Sequence, residues 1–151
     1  MLSTLNLLHG LISNRAFDNH HVGVFAANEL PVHVELPAAL IVNTDPKDSP
    51  GKHWVAIYID SNSRGEFFDS YGKPPHVHNH LRFLENNSKF YTYNTHQIQS
   101  YGSVYCGHYC FLYLFHRASG KPMHKFQILF PVPIKNDNII STYLLTRKLN
   151  L

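Results

Sequence analysis

The sequence places a thiol where it could act as a nucleophile. Cys106 lies where the turn Gly102-Ser103 meets a stretch that is apolar nearly all round. At a helix start, unpaired backbone N–H groups and the positive end of the helix dipole favour the thiolate form of a cysteine. From the residues alone, a cysteine in this position is more often structural than catalytic. Cys110, a full turn inside the same stretch, is interpreted as a core residue.

His53 and Asp69 could supply the base and the acid that such a thiol needs. Trp54–Ile59 is apolar at every position, as expected of a strand covered on both faces, and residues 66–71 return as a second strand. With the turn centred near Asn62, Asp69 becomes the diagonal same-face neighbour of His53, at about 7–8 Å between backbones. That distance allows an imidazole–carboxylate hydrogen bond. A register slip of one residue would place the two side chains on opposite faces.

A side-chain amide near the thiol could stabilise the charge that develops when a carbonyl is attacked. Gln99 lies seven residues before Cys106, and its N–H₂ could donate to the anionic tetrahedral intermediate beside the backbone N–H of Cys106. Spacing alone leaves Gln97 as an almost equal candidate. Residues 97–99 are predicted to be extended, so the two side chains should point in opposite directions.

The remaining pattern predicts a single α+β domain over residues 1–151. An amphipathic helix opens the chain and is followed by a polar, histidine-containing loop. The later predicted elements are a buried strand at 38–42, the hairpin, a helix ending near Asn86-Asn87, a strand at Phe90–Tyr93, a buried helix at Cys106–Ala118, a short element around Phe126 and a closing helix through Ile140.

Composition excludes several classes of protein. The chain of 151 residues is 44% hydrophobic and 15% charged, which is typical of a globular domain rather than a disordered one. Its net charge of +3 permits weak contact with DNA but does not indicate a nucleic-acid site. Two cysteines four residues apart do not suit a disulfide scaffold. With no signal peptide and no long apolar run, we expect an intracellular protein, neither secreted nor bound to a membrane.

Alternating histidines raise the question of a metal site. His76, His78 and His80 would face one side of a strand and could bind zinc there. They lead into a predicted helix, however, where residues two apart diverge. We therefore expect no metal and no other cofactor.

Taken together, the motifs resemble the adenovirus protease (adenain) family and its relatives in Polinton (Maverick) transposons. The motifs are His53-Trp54, the segment Phe-Phe-Asp-Ser-Tyr-Gly at 67–72, and Gln-x6-Cys-Gly from Gln99 to Gly107. The order His, acid, Gln, Cys is also that of the SUMO proteases. The similarity covers roughly residues 20–145, including the stretches 22–44 and 120–123.

The resemblance implies a mixed sheet packed against a buried helix that starts at the catalytic cysteine. It implies that His53 is the base, Asp69 its acid, Cys106 the nucleophile, and Gln99 rather than Gln97 the oxyanion donor. The implied activity is a cysteine endopeptidase that processes capsid precursors in the host nucleus or the virion. A SUMO or ubiquitin deconjugase and a non-catalytic binding module on the same fold are the alternatives.

Adenain also implies activation by a peptide and by DNA. The adenain peptide is tethered through a cysteine outside the catalytic helix. This chain has no such cysteine, since Cys106 and Cys110 share one helix. A disulfide-tethered activating peptide is therefore not expected here, whereas an activating peptide bound without a disulfide stays open as a partner.

Overall fold

The computed structural model describes residues 1–149 and 151. This part of the chain forms ten helices and strands and two short 3₁₀ turns, at Arg15–Phe17 and Ala27–Glu29. They are α1 (Thr4–Ser13), β1 (His21–Phe25), β2 (Ala38–Asn43), β3 (Trp54–Ile59), β4 (Arg64–Phe68), α2 (His78–Asn87), β5 (Phe90–Tyr93), α3 (Cys106–Ala118), α4 (Met123–Ile128) and α5 (Pro133–Thr146).

The strands form one mixed sheet in the order β1-β2-β3-β4-β5. The β1–β2 and β4–β5 pairs are parallel, whereas β2–β3 and β3–β4 are antiparallel. Every residue of β2 and β3 is buried, because helices cover both faces of the sheet. One face packs on α1 and α3, and the other packs on α2. The predicted α+β architecture is confirmed.

Helix α3 has the predicted bounds and lies at the centre of the larger core. Tyr109, Cys110, Tyr113 and Leu114 have no exposed surface, so the helix packs on nearly all sides. It ends before Gly120, whose φ of +86° lies in the left-handed region that glycine adopts without strain. Burial of the helix fixes the position of its first residue, Cys106.

The predicted loop after α1 is wrong in part, because His21–Phe25 forms the edge strand β1. It pairs in parallel with β2, from His21 opposite Ala38 to Phe25 opposite Val42. Only Gly23 of this strand is buried. Its apolar alternation is limited to Val22 and Val24, which pack against the larger core, and this pattern is too short to identify a strand.

Two predicted extended segments also differ from the structure. Residues 97–99 are irregular, since the backbone N–H groups of Ile98 and Gln99 both donate to the carbonyl of Ser70 instead of forming a ladder. Strand β4 ends at Phe68, not at residue 71. The chain turns there because the N–H of Gly72 donates to the carbonyl of Asp69 at 2.8 Å.

Among the described residues, no helix combines the length and the apolar character needed to cross a membrane.

Candidate active site

His53 and Asp69 lie at one end of the β3–β4 hairpin. His53 immediately precedes β3, and Asp69 immediately follows β4. The hairpin register pairs Ala56 with Phe68 and Ile59 with Gly65, which centres the turn at residue 62 as predicted. The imidazole Nε2 lies 2.8 Å from Asp69 Oδ1, and the side chains are 13% and 4% exposed. The predicted contact between the two residues is confirmed.

Asn94 and the turn after β4 hold Asp69 in place. The backbone N–H of Asp69 donates to Asn94 Oδ1 at 3.0 Å, and Asn94 Nδ2 donates to the Asp69 carbonyl at 2.7 Å. The N–H of Tyr71 donates to Asp69 Oδ1 at 2.8 Å. The carboxylate therefore has a fixed orientation toward His53. Sequence reasoning missed Asn94, whose one local signal is an amide directly after an aromatic strand.

The pKa values of His53 and Cys106 are shifted in the directions that favour an ion pair. Burial by itself would lower the pKa of His53, but hydrogen bonds to Asp69 and Cys106 and their negative charges raise it to about 9. Burial would raise the pKa of the Cys106 thiol. Hydrogen bonds from His53 and from the backbone of Trp54 and Gly107 outweigh that effect, and the net pKa is lowered. Both shifts favour the imidazolium form of His53 and the thiolate form of Cys106.

Two tyrosines form an aromatic stack on the imidazole. The ring of Tyr71 lies 4.8 Å from that of His53 at an interplanar angle of 28°, and Tyr101 stacks on Tyr71 at 5.5 Å. Tyr101 is 74% exposed, so the stack runs from the buried pair to the surface. It restricts the orientation of the imidazole from one face. The predicted hairpin register places Tyr71 opposite His53, but the stacking of the two rings and the contribution of Tyr101 from a separate loop were not predicted.

Gln99 connects the Asp69 turn to the loop before α3. Its side chain is fully buried, its Oε1 accepts from the Ser70 hydroxyl at 2.5 Å, and its Nε2 donates to the Ser103 carbonyl at 2.9 Å. Since an amide N–H₂ carries two protons, the second remains for another acceptor. Gln97 instead donates to the backbone carbonyl of Gln99 at 2.8 Å.

The start of α3 offers a backbone donor beside the sulfur. Cys106 is the first residue of the helix, and the first N–H groups of a helix have no partner within it. The next residue must be small. A Cβ at Gly107 would lie 3.3 Å from the side chains of both Leu7 and Trp54. The segment is thus packed tightly on the strand that follows His53.

The alternating histidines do not converge on a metal position. His80 is buried, and its Nε2–H donates to the Asn43 carbonyl at 3.0 Å. Burial lowers its pKa to about 4, so it is neutral. Within residues 1–149 and 151, no group of three or more His, Cys, Asp or Glu side chains is arranged to hold a metal ion.

Known proteins resemble this chain in sequence and in fold. A protein of Acanthamoeba polyphaga mimivirus, provisionally named thiol protease R355, is 31% identical over 127 residues. The match covers 74% of this chain and 36% of that protein. A crystal structure of the ASFV pS273R protease, in its selenomethionine form, has a TM-score of 0.51 at 22% identity, over 68% of this chain and 41% of the other. The chain is related in sequence to a viral protein named as a thiol protease, and it has the fold of the ASFV pS273R protease.

The similarity to the selenomethionine form of the ASFV pS273R protease confirms the fold class expected from the sequence. A second crystal structure of the ASFV pS273R protease aligns at a TM-score of 0.49 and 23% identity, over 68% of this chain and 40% of the other. No protein-family model matches the chain. The chain spans little more than a third of the length of the mimivirus relative.

Proposed function

We propose that this chain is a cysteine endopeptidase domain with Cys106 as its nucleophile. The observation that carries the proposal is the 2.8 Å contact between His53 Nε2 and Asp69 Oδ1, beside a Cys106 whose pKa is lowered by hydrogen bonding from His53. In the proposed roles, His53 is the acid and base, Asp69 orients it, and Gln99 donates to the oxyanion together with the backbone N–H of Cys106. Cys106, Asp69 and Gln99 are buried and the His53 side chain is only 13% exposed, which limits the access of bulk water to the site.

The first half of the reaction follows from the ion pair. The Cys106 thiolate attacks the carbonyl carbon of the peptide bond, and the carbonyl electrons move to oxygen. The resulting oxyanion accepts hydrogen bonds from the second amide proton of Gln99 and from the Cys106 N–H. His53 then gives the proton of its Nδ1 to the leaving amine, and the C–N bond breaks. The product is a thioester on Cys106 and a free amine.

The second half releases the acid product. His53, now neutral and still bonded to Asp69 through Nε2–H, takes a proton from water at Nδ1. The hydroxide attacks the thioester carbonyl, and the C–S bond breaks to return the Cys106 thiolate. Asp69 keeps one tautomer of His53 throughout, because its carboxylate accepts only from a protonated Nε2.

The substrates are proteins, and we propose capsid precursors among them. The proposal is supported by the resemblance to adenain and by the viral origin of the relative that carries a protease name. A disulfide-tethered activating peptide is not included, since Cys106 and Cys110 are both buried in α3 and the chain has no other cysteine. No DNA requirement is included either, because the net charge of +3 is small.

A digest of three kinds of substrate tests this proposal. Capsid precursor proteins, a SUMO fusion and a ubiquitin fusion are incubated with the parent chain and with Cys106→Ala, and products are sequenced by mass spectrometry. Cleavage of the precursors by the parent alone supports a capsid-processing endopeptidase. Cleavage only at the end of SUMO or ubiquitin would replace it with a deconjugase. Equal products from Cys106→Ala would refute the assignment of the nucleophile.

A further inference from the structure

The end of β4 leaves the backbone N–H and carbonyl of Trp54 without a hydrogen-bonding partner on that strand, although Trp54 lies opposite Asn43 of β2. The N–H of Thr44 donates to His53 O, and the N–H of Asp60 donates to Arg64 O. Odd-numbered residues of β3 therefore hydrogen-bond to β2, and even-numbered residues hydrogen-bond to β4. The next even position toward the site is Trp54, and continued pairing would place it opposite Ser70. Strand β4 ends at Phe68 before reaching that position.

The two cysteine side chains of α3 interact with the Trp54 backbone at the position that β4 does not reach. The Cys110 thiol donates to the Trp54 carbonyl at 3.3 Å, and hydrogen bonding from the Trp54 backbone is one of the causes that lower the pKa of Cys106. Cys106 and Cys110 are four residues apart on α3, so their side chains lie on the same face on consecutive turns. The backbone N–H and carbonyl of one strand residue thus bond to both cysteines of the chain.

We propose that Cys110 is a positioning residue for the nucleophile: its thiol holds the Trp54 backbone so that the Trp54 N–H stays on the sulfur of Cys106. The inference rests on the proposed role of Cys106. Trp54 also directly follows His53, so the same contact fixes the strand end that carries the base. Removal of the Cys110 donor leaves a buried carbonyl unpaired, and the backbone is then free to move away from Cys106.

The protonation state of Cys110 suits this role. The residue has no exposed surface, and burial raises its pKa well above the usual value of a thiol. It therefore stays protonated and donates at every pH at which the ion pair of His53 and Cys106 exists. As a neutral, inaccessible thiol it also does not compete for electrophiles.

The test measures the ionisation of Cys106 in Cys110→Ala and Cys110→Ser. Iodoacetamide labelling of Cys106 is followed by mass spectrometry from pH 4 to pH 9. Ala removes the donor, whereas Ser differs from Ala only by a hydroxyl that can donate. We expect the labelling midpoint of Cys110→Ala to rise by about half to one pH unit, with a three- to tenfold slower rate below it. Cys110→Ser should recover part of that shift.

A matched control separates donor loss from loss of packing. Leu114→Val removes volume one turn further along α3, from a side chain that is also fully buried but has no polar atom. It should lower the melting temperature and leave the Cys106 midpoint unchanged. A parental midpoint in Cys110→Ala, or an equal shift in the Ala, Ser and Leu114 variants, would overturn the positioning role. Cys106 would still be the labelled residue in that case, so the proposed function would survive.

A measurement on unaltered Cys110 covers the case in which its variants do not fold. In Cys106→Ala, Cys110 is the one remaining thiol of the sequence, and its S–H stretch lies in an infrared window free of other protein bands. A band at the lower frequency of a hydrogen-bonded thiol supports the contact with Trp54. A band at the frequency of a free thiol would contradict it.

Discussion

Replacement of Asp69 by Asn tests how much of the ion pair depends on this carboxylate. The change keeps the size of the side chain and an oxygen that can accept from His53 Nε2–H. It removes the negative charge that lies 2.8 Å from the imidazole. Imidazolium is the reactive form of His53, so activity is lost as the pH rises through the pKa of this histidine. The alkaline limb of kcat/KM should therefore move to lower pH in Asp69→Asn.

The size of the shift follows from the environment of His53. Its pKa is raised from 6.5 to about 9, which corresponds to about 3 kcal/mol in favour of the charged form. Asp69 and Cys106 share this effect, and the Asp69 hydrogen bond is the largest favourable contribution. We assign about 2 kcal/mol to Asp69, or about 1.5 pH units. The alkaline limb should then fall near pH 7.5, and at pH 8.5 the variant should retain about a tenth of its own maximum.

The assay is kcat/KM against pH on one fluorogenic peptide. Asp60→Asn is the matched control, since it removes a carboxylate from the other end of the same hairpin, where Asp60 pairs with Arg64 at 2.9 Å. Its alkaline limb should match that of the parent, with circular dichroism used to confirm folding of both variants. Superimposable profiles for Asp69→Asn and the parent would refute the reasoning, and Asp69 would then be a structural residue.

Three further changes test other parts of the site. Gln99→Ala should lower kcat by about 10²–10³ with KM nearly unchanged, because the Gln99 amide donates to charge that develops in the transition state. Steady-state kinetics should show Gln97→Ala within a few-fold of the parent. The reverse ranking of the two variants would contradict the oxyanion assignment. Asp137→Ala should lower the free energy of unfolding in urea by about 1–3 kcal/mol, because the Ser103 hydroxyl loses its acceptor at 3.0 Å; an unchanged urea midpoint would refute this. His80 has a folded-state pKa of about 4, below its unfolded value of 6.5, so stability should fall as the pH drops from about 6.5 to about 4. Urea titrations should show a weaker acid slope in His80→Gln, and equal slopes would be inconsistent with a buried neutral histidine.

The parts of the fold that were predictable have strong local signals. The register of the hairpin follows from an apolar strand at Trp54–Ile59 and turn residues centred on Asn62, and it correctly brings His53 to Asp69. The bounds of α3 follow from a turn before Cys106 and a glycine after the last apolar residue. In both cases the neighbours in sequence determine the geometry.

The parts that were not predictable depend on contacts between distant segments. Strand β1 is stabilised by its pairing with β2, and the alternation of Val22 and Val24 in its own sequence is too short to predict it. Asn94 reaches Asp69 across 25 residues, and Tyr71 stacks on His53 after a turn that no periodicity indicates. The irregular backbone at Gln99 is set by the carbonyl of Ser70. Local sequence propensity does not depend on these distant partners, so it does not predict the contacts.

The most direct measurement of the central claim is the site at which an electrophile inactivates the protein. The parent is treated with substoichiometric iodoacetamide near neutral pH, and residual peptidase activity and the labelled residue are followed together. Cys106 should be alkylated in proportion to the activity lost, since its pKa is lowered and that of the buried Cys110 is raised. Labelling of Cys110 in proportion to inactivation, or full activity after complete labelling of Cys106, would contradict the account.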